Sequence, residues 1–166
     1  MQYAREKLNY KFVVAVGTST GAVAAILVAA EDEFQQIRKN CRIDALVCEN
    51  PFASRNSLLR GILSAALGPV PKVIQFLKDW YQNAVMFLGM RSLHLPDYAR
   101  TDAVDVIQMV APRPVLFMHG THDSVVSVDH SYQLYQAAKE PRDLWVAKDA
   151  THTALHNLYP EEWETK

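Results

Sequence analysis

The strongest chemical signal in this chain is Gly17-Thr18-Ser19-Thr20-Gly21, a serine between two glycines at G-x-S-x-G spacing. A serine hydroxyl is a weak nucleophile until a base takes its proton. A reactive serine must therefore sit where a base and a set of oxyanion donors can both reach it. The flanking sequence supplies such a setting. Residues 11–16 (KFVVAV) form a short β-branched run that reads as a buried strand, and residues 22–30 (AVAAILVAA) are helix formers, apolar all round. A strand, a tight turn and a helix is the context this motif requires. The turn is sharp enough that flanking side chains would collide, so both glycines are expected to be needed. Ser19 would then project above the sheet at a helix N-terminus, with backbone N–H groups facing a developing negative charge.

The elements that would position such a serine alternate along the chain. Residues 43–48 (IDALVC) predict a second strand, stopped by Asn50-Pro51; residues 114–118 (PVLFM) a third; and residues 144–147 (LWVA) a fourth. A helix is expected over residues 130–139, before Pro141. Strands and helices in alternation predict an α/β fold with a parallel sheet and right-handed crossovers. The strand runs are continuous rather than alternating, as expected when both sheet faces are covered.

Residues 52–109 break this rhythm with helical patterns at 57–67, 71–88 and 101–109, the last with Thr101 as its N-cap. Val73, Leu77, Trp80, Ala84 and Phe87 recur at helical spacing as one apolar stripe, read as structural packing. The other reading is a mobile lid over a substrate pocket.

Composition limits the alternatives. The chain has 166 residues, 49% hydrophobic and 21% charged, with a formal net charge of −1, which suits one soluble domain. No basic stripe marks a nucleic-acid partner. The first residues are polar and charged, so no secretory signal is read there, and Gly17-Thr18-Ser19-Thr20-Gly21 interrupts the only stretch resembling a membrane span. Cys41 and Cys48 make neither a disulfide framework nor a zinc site. Cys48 reads as a buried small hydrophobe, in keeping with a reducing, cytoplasmic location.

Three segments together carry a family resemblance: the serine turn; the run Ala111-Pro112-Arg113-Pro114-Val115-Leu116-Phe117-Met118-His119-Gly120-Thr121-His122-Asp123; and Asp149-Ala150-Thr151-His152-Thr153. Over essentially the whole chain they resemble the last half of an α/β-hydrolase, nearest in flavour to the serine aminopeptidase-like and dienelactone hydrolase-like groups with an inserted cap. The resemblance implies a nucleophile, acid and histidine in this chain order. It makes Ser19 the nucleophile, Asp123 the acid that orients and charges the imidazole, and His152 the base. The substrate would be a small acyl compound: an ester, thioester or amide. No metal or organic cofactor is implied.

Rival assignments exist within the same fold. Glu49, after the second strand, is the other acid available. His156 lies one helical turn beyond His152 and reads as a surface or capping residue. His119 and His122 read as loop hydrogen-bonders, His94 and His130 as solvated, and Asp149 as the residue making the turn before His152.

The resemblance also implies absences. The family's sheet has about eight strands, of which residues 1–166 would supply the last four as a single partial domain, with a helical cap at about 52–100. The strand at 12–16 would then have one unpaired apolar edge, calling for an oligomer or a missing N-terminal half to cover it. One oxyanion donor would lie in that missing half, leaving the backbone N–H of Thr20 as the candidate here. On this reading the chain is truncated at both ends. It represents either a working hydrolase with its N-terminal half elsewhere, or an inactive half-domain or subunit completed by another chain.

Overall fold

The computed structural model describes residues 2–35, 42–67, 80–81 and 101–166. Four strands, β1 (Val14–Thr18), β2 (Ala45–Glu49), β3 (Val115–Gly120) and β4 (Arg142–Ala147), form one all-parallel sheet in the order β1-β2-β3-β4. The registers run from Val14 opposite Ala45, from Leu46 opposite Val115 and from Val115 opposite Arg142.

This order decides where the helices go. Every crossover steps in the same direction, and right-handed crossovers in one direction place their helices on one face. That face receives α2 (Thr20–Gln35), α4 (Ala103–Val106) with the 3-10 turn Ile107–Val110, and α5 (Asp129–Ala137). Their apolar sides close over Leu46, Cys48, Val115 and Phe117 to make the main core, with Ile26, Ile107, Val110 and Leu134 fully buried. Burial pushes the Cys48 thiol up to about 12, so it stays an inert thiol at neutral pH.

Among the described residues, the opposite face is covered where the chain returns after β4. There α6 (Leu155–Leu158) and α7 (Pro160–Glu164) form a smaller cluster in which Met118, Ala147, Ala150 and Leu155 are buried and Trp145, Tyr159 and Trp163 pack against them. Towards β1 the covering ends. Val14 is 51% and Val16 59% exposed, and Phe12, just before the strand, is 78% exposed. The expectation of a buried first strand is therefore corrected: hydropathy marked the strand, but among the described residues β1 is an edge with one open face. Short α1 (Gln2–Glu6) sits at its N-terminal end, where the Arg5 guanidinium pairs with Asp44 and also donates to the Lys11 and Arg42 carbonyls.

Between β2 and β3 the chain makes an excursion that begins and ends at one place. Ser54 Oγ donates to Asp102 Oδ2 at 2.8 Å, the Arg55 N–H donates to Oδ1 at 3.1 Å, and the Val104 N–H reaches the Ala53 carbonyl at 3.1 Å. Of the expected cap, α3 (Arg55–Leu67) and the exposed pair Trp80 and Tyr81 are described. The helix expected at 71–88 falls outside the described residues apart from that pair. Asp102, not Thr101, is the N-cap of α4, and its carboxylate makes no cap bond because it is engaged with Ser54 and Arg55.

Candidate active site

In a parallel sheet every strand ends at the same edge, and the loops leaving that edge are where open α/β sheets place their sites. Ser19 follows β1, Asn50 follows β2, Asp123 follows β3 and His152 follows β4. Backbone hydrogen bonds hold these four loops together.

Ser19 adopts φ 53, a left-handed conformation that costs a non-glycine residue about 1–3 kcal/mol. Its N–H donates to the Glu49 carbonyl at 2.8 Å, and its own carbonyl accepts the first bonds of α2, from Ala22 at 3.1 Å and Val23 at 3.2 Å. The strained turn thus prolongs the β1–β2 ladder and starts the helix in the same step. The two glycines of the motif differ. A Cβ on Gly17 would lie 2.5 Å from the Gly21 carbonyl oxygen and 2.6 Å from the Ala22 nitrogen, whereas one on Gly21 would meet nothing within 4 Å. Gly17 is required by space, and Gly21 is not; this corrects the expectation that both are. Thr20 opens α2, and a helix leaves its first-turn N–H groups without intrahelical acceptors.

The acid loop is held more tightly. The Asp123 side chain is fully buried. Its Oδ1 accepts the N–H groups of Val125 and Val126, both at 2.8 Å, while Oδ2 accepts Asn50 Nδ2 at 2.6 Å and His152 Nδ1 at 2.7 Å. His119 Nε2 approaches Oδ2 at 3.4 Å. Burial alone would raise the Asp123 carboxyl, but the bonds from His119, Val126, His152 and Val125 outweigh it and hold the group well below the usual carboxylate range. Asp123 is therefore an anion at neutral pH, and it accepts the Nδ1–H of His152. That tautomer leaves Nε2 of His152 free to act as a base.

Gly120 makes the close approach between the acid and histidine loops possible. A Cβ there would lie 2.2 Å from the Ala150 carbonyl oxygen, backbone against backbone. Around it the Thr121 N–H donates to Ala147, the His122 N–H to Ala150 at 2.9 Å, and the Asp149 N–H to Thr121 Oγ1 at 2.8 Å. Asp149 turns the chain at φ 58, as its position before His152 suggests.

The structure therefore brings Asp123 and His152 into direct contact and connects Ser19 to them through Glu49 and Asn50. Among the described residues no hydrogen bond joins the Ser19 hydroxyl to His152. Of the rivals, Glu49 is buried at the end of β2, beside the serine turn. His119 is a hydrogen-bonder, as expected, but from within β3 rather than a loop. It is fully buried, with Nδ1 2.6 Å from Ser131 Oγ and Nε2 2.9 Å from the Val126 carbonyl. A carbonyl can only accept, so Nε2 carries a proton. His130 was expected to be solvated and is buried instead, its Nδ1 accepting the Ala53 N–H at 3.3 Å; burial lowers its pKa. His122 pairs with Asp149 at the rim, and His156 packs edge-on to Trp163. His94 lies outside the described residues. Asn50 was not anticipated: an asparagine before a proline reads only as a strand stop, and its reach to another strand's loop is a tertiary fact.

No protein-family model matches the chain. A stretch of it is 44% identical over 46 residues to the uncharacterised protein YfhR of Escherichia coli K12, which is 28% of this chain and 16% of YfhR. Its fold is similar to that of several solved structures. An esterase of Pyrococcus furiosus aligns with a TM-score of 0.61 and 20% identity, over 99% of this chain and 54% of the esterase. The esterase domain of a Rhodothermus marinus protein aligns with a TM-score of 0.53 and 20% identity, over 84% and 50%. A meta-cleavage product hydrolase of Pseudomonas fluorescens aligns with a TM-score of 0.56 and 18% identity, over 97% and 65%. The chain thus spans roughly half to two thirds of these structures. At such identities the likeness is one of fold.

Proposed function

The chain has the α/β-hydrolase fold, four parallel strands of it, and from that premise we propose that it is a serine hydrolase acting on an ester, thioester or amide through an acyl-enzyme on Ser19. The observation that carries this reading is the buried Asp123 carboxylate 2.7 Å from His152 Nδ1, at the same sheet edge as a serine in a left-handed turn. The similarity to esterases points the same way.

In this reading His152 Nε2 takes the Ser19 proton as the hydroxyl attacks the acyl carbon, and Asp123 stabilises the imidazolium that forms. The Thr20 N–H faces the tetrahedral oxyanion. His152 then protonates the leaving group, and a water activated by the same histidine releases the acid product. The insertion between Ser54 and Asp102 is read as the substrate cap of such an enzyme.

The test is turnover of p-nitrophenyl acetate and butyrate by the purified chain. We expect a burst of nitrophenolate close to one equivalent, lost in both Ser19→Ala and His152→Ala. Equal turnover by Ser19→Ala would count against the proposal.

A second reading is favoured by the open face and edge of β1, with Phe12, Val14 and Val16 exposed. Here the chain is a half-domain that becomes active only when another polypeptide covers that edge. It predicts a folded chain with no burst, and a burst on adding the complementing chain.

A further inference from the structure

Asn50 breaks several local rules at once. It is fully buried, it adopts φ 48, a left-handed conformation that favours glycine, and its Oδ1 is buried without a hydrogen-bond partner among the described residues. An unpaired buried acceptor and a left-handed backbone each destabilise a fold. Such costs gathered on one residue point to function rather than stability. The geometry shows what they secure. The Asn50 N–H extends the β2–β3 ladder to the Met118 carbonyl at 2.8 Å, which turns the side chain towards the acid loop. Its Nδ2 then donates at 2.6 Å to Asp123 Oδ2, the same oxygen that His152 Nδ1 engages at 2.7 Å. A carboxylate only accepts, so the amide must present its nitrogen here, and the orphaned Oδ1 follows from that choice.

We infer that Asn50 is a positioning residue of the site, its side-chain amide sharing Asp123 Oδ2 with His152 and so keeping that histidine less basic than an undivided ion pair would make it. The inference rests on the serine-hydrolase reading for its catalytic meaning. An acceptor oxygen that already holds a strong donor has less charge density to offer a second one. The amide aims the positive end of its dipole at the same carboxylate oxygen that an imidazolium would need as its counter-charge. A less basic His152 remains neutral, and therefore able to accept the serine proton, at lower pH.

The other charged groups around this pair do not do the same work. His119 Nε2–H, from β3, faces Oδ2 at the longer distance of 3.4 Å and is already committed to the Val126 carbonyl. His130, on α5, lies behind His119 and hydrogen-bonds Ala53. Glu49, on β2, is buried beside the serine turn, with its carbonyl held by Ser19. His122 and Asp149 pair with each other at the exposed rim, 64% and 58% accessible, and His156 pairs with Glu164 on the C-terminal helices.

The experiment is an NMR titration of the histidine rings in the whole chain, with His152 assigned by its loss in His152→Gln. Asn50→Gly keeps the left-handed backbone and deletes the amide. The His152 midpoint should rise by about half to one pH unit in this variant. An unchanged or lowered midpoint in a folded variant overturns the inference, because a merely structural asparagine would not move it. If Asn50→Gly does not fold, Asn50→Asp replaces it. That variant tolerates the same φ and puts a negative charge where the donor was, so the midpoint should rise again; no rise overturns the inference. In parallel, the pH midpoint of fluorophosphonate labelling should move with the titration. Absent labelling in wild type with a shifted His152 titration would remove the hydrolase reading and leave the Asn50 relation standing.

Discussion

The two sides of the sheet's C-terminal edge are built to different standards. Between β3 and β4 the acid and histidine loops are laced to one another, the Asp123 carboxylate is enclosed by donors, and both faces of the sheet are covered. At β1 the serine turn is sharp and strained, but the strand that carries it is an edge with exposed valines and one open face. The comparison teaches that the acid–base half is a self-contained unit, whereas the nucleophile half depends on how firmly an uncovered strand is held.

The largest effect should come from the residue on the open side. Ser19→Ala removes the proposed nucleophile and should lower ester turnover by about 10⁴–10⁶-fold with unchanged circular dichroism. A loss of only a few-fold would place the chemistry elsewhere.

On the enclosed side, Asp123→Asn should cost about 10⁴-fold in turnover, because the amide no longer selects the Nδ1–H tautomer. It should also change acid stability. The folded Asp123 carboxyl lies below its unfolded value, so its contribution is fully present above about pH 4 and is lost as pH falls from there towards the folded pKa. Urea titrations at pH 3 and pH 6 should therefore differ less for Asp123→Asn than for wild type.

The glycines sharpen the contrast between the halves. Gly120→Ala forces the Ala150 carbonyl away and should destabilise by about 2–4 kcal/mol while pulling the acid and histidine loops apart. Gly17→Ala should cost a similar amount through its clash with Gly21 and Ala22. Gly21→Ala, placed in open space within α2, should be neutral or stabilising by up to about 1 kcal/mol. Thermal denaturation of the three variants checks the order, and equal losses at positions 17 and 21 would contradict it.

The smallest effect on folding is expected at the edge. Val16→Lys should leave the melting temperature within a few degrees, because the side chain is already 59% exposed, but should reduce self-association measured by sedimentation. A large loss of stability would mean that this face is covered in solution.

These contrasts also show what could be read in the sequence. The strand runs stopped by Gly17, Asn50-Pro51, His119-Gly120 and Asp149 were legible because apolar segments end abruptly at turn residues. Their alternation with helices implied the parallel sheet. Exposure was less legible: Val14 and Val16 look like core because hydropathy records the environment a strand suits, not whether this chain supplies it. His130 looked solvated because no local pattern surrounds it; only the meeting of α5 with Ala53 buries it. Gly21 looked obligatory from the motif, and only backbone geometry separates it from Gly17. Asn50 escaped for the same reason, since its partner is a carboxylate 73 positions away.

The most direct test of the central claim is fluorophosphonate labelling of the folded chain at neutral pH, with the modified peptide located by mass spectrometry. The account predicts a single adduct on Ser19, absent in His152→Ala and strongly slowed in Asp123→Asn. A folded chain that carries no adduct, or carries one at another residue, would contradict it.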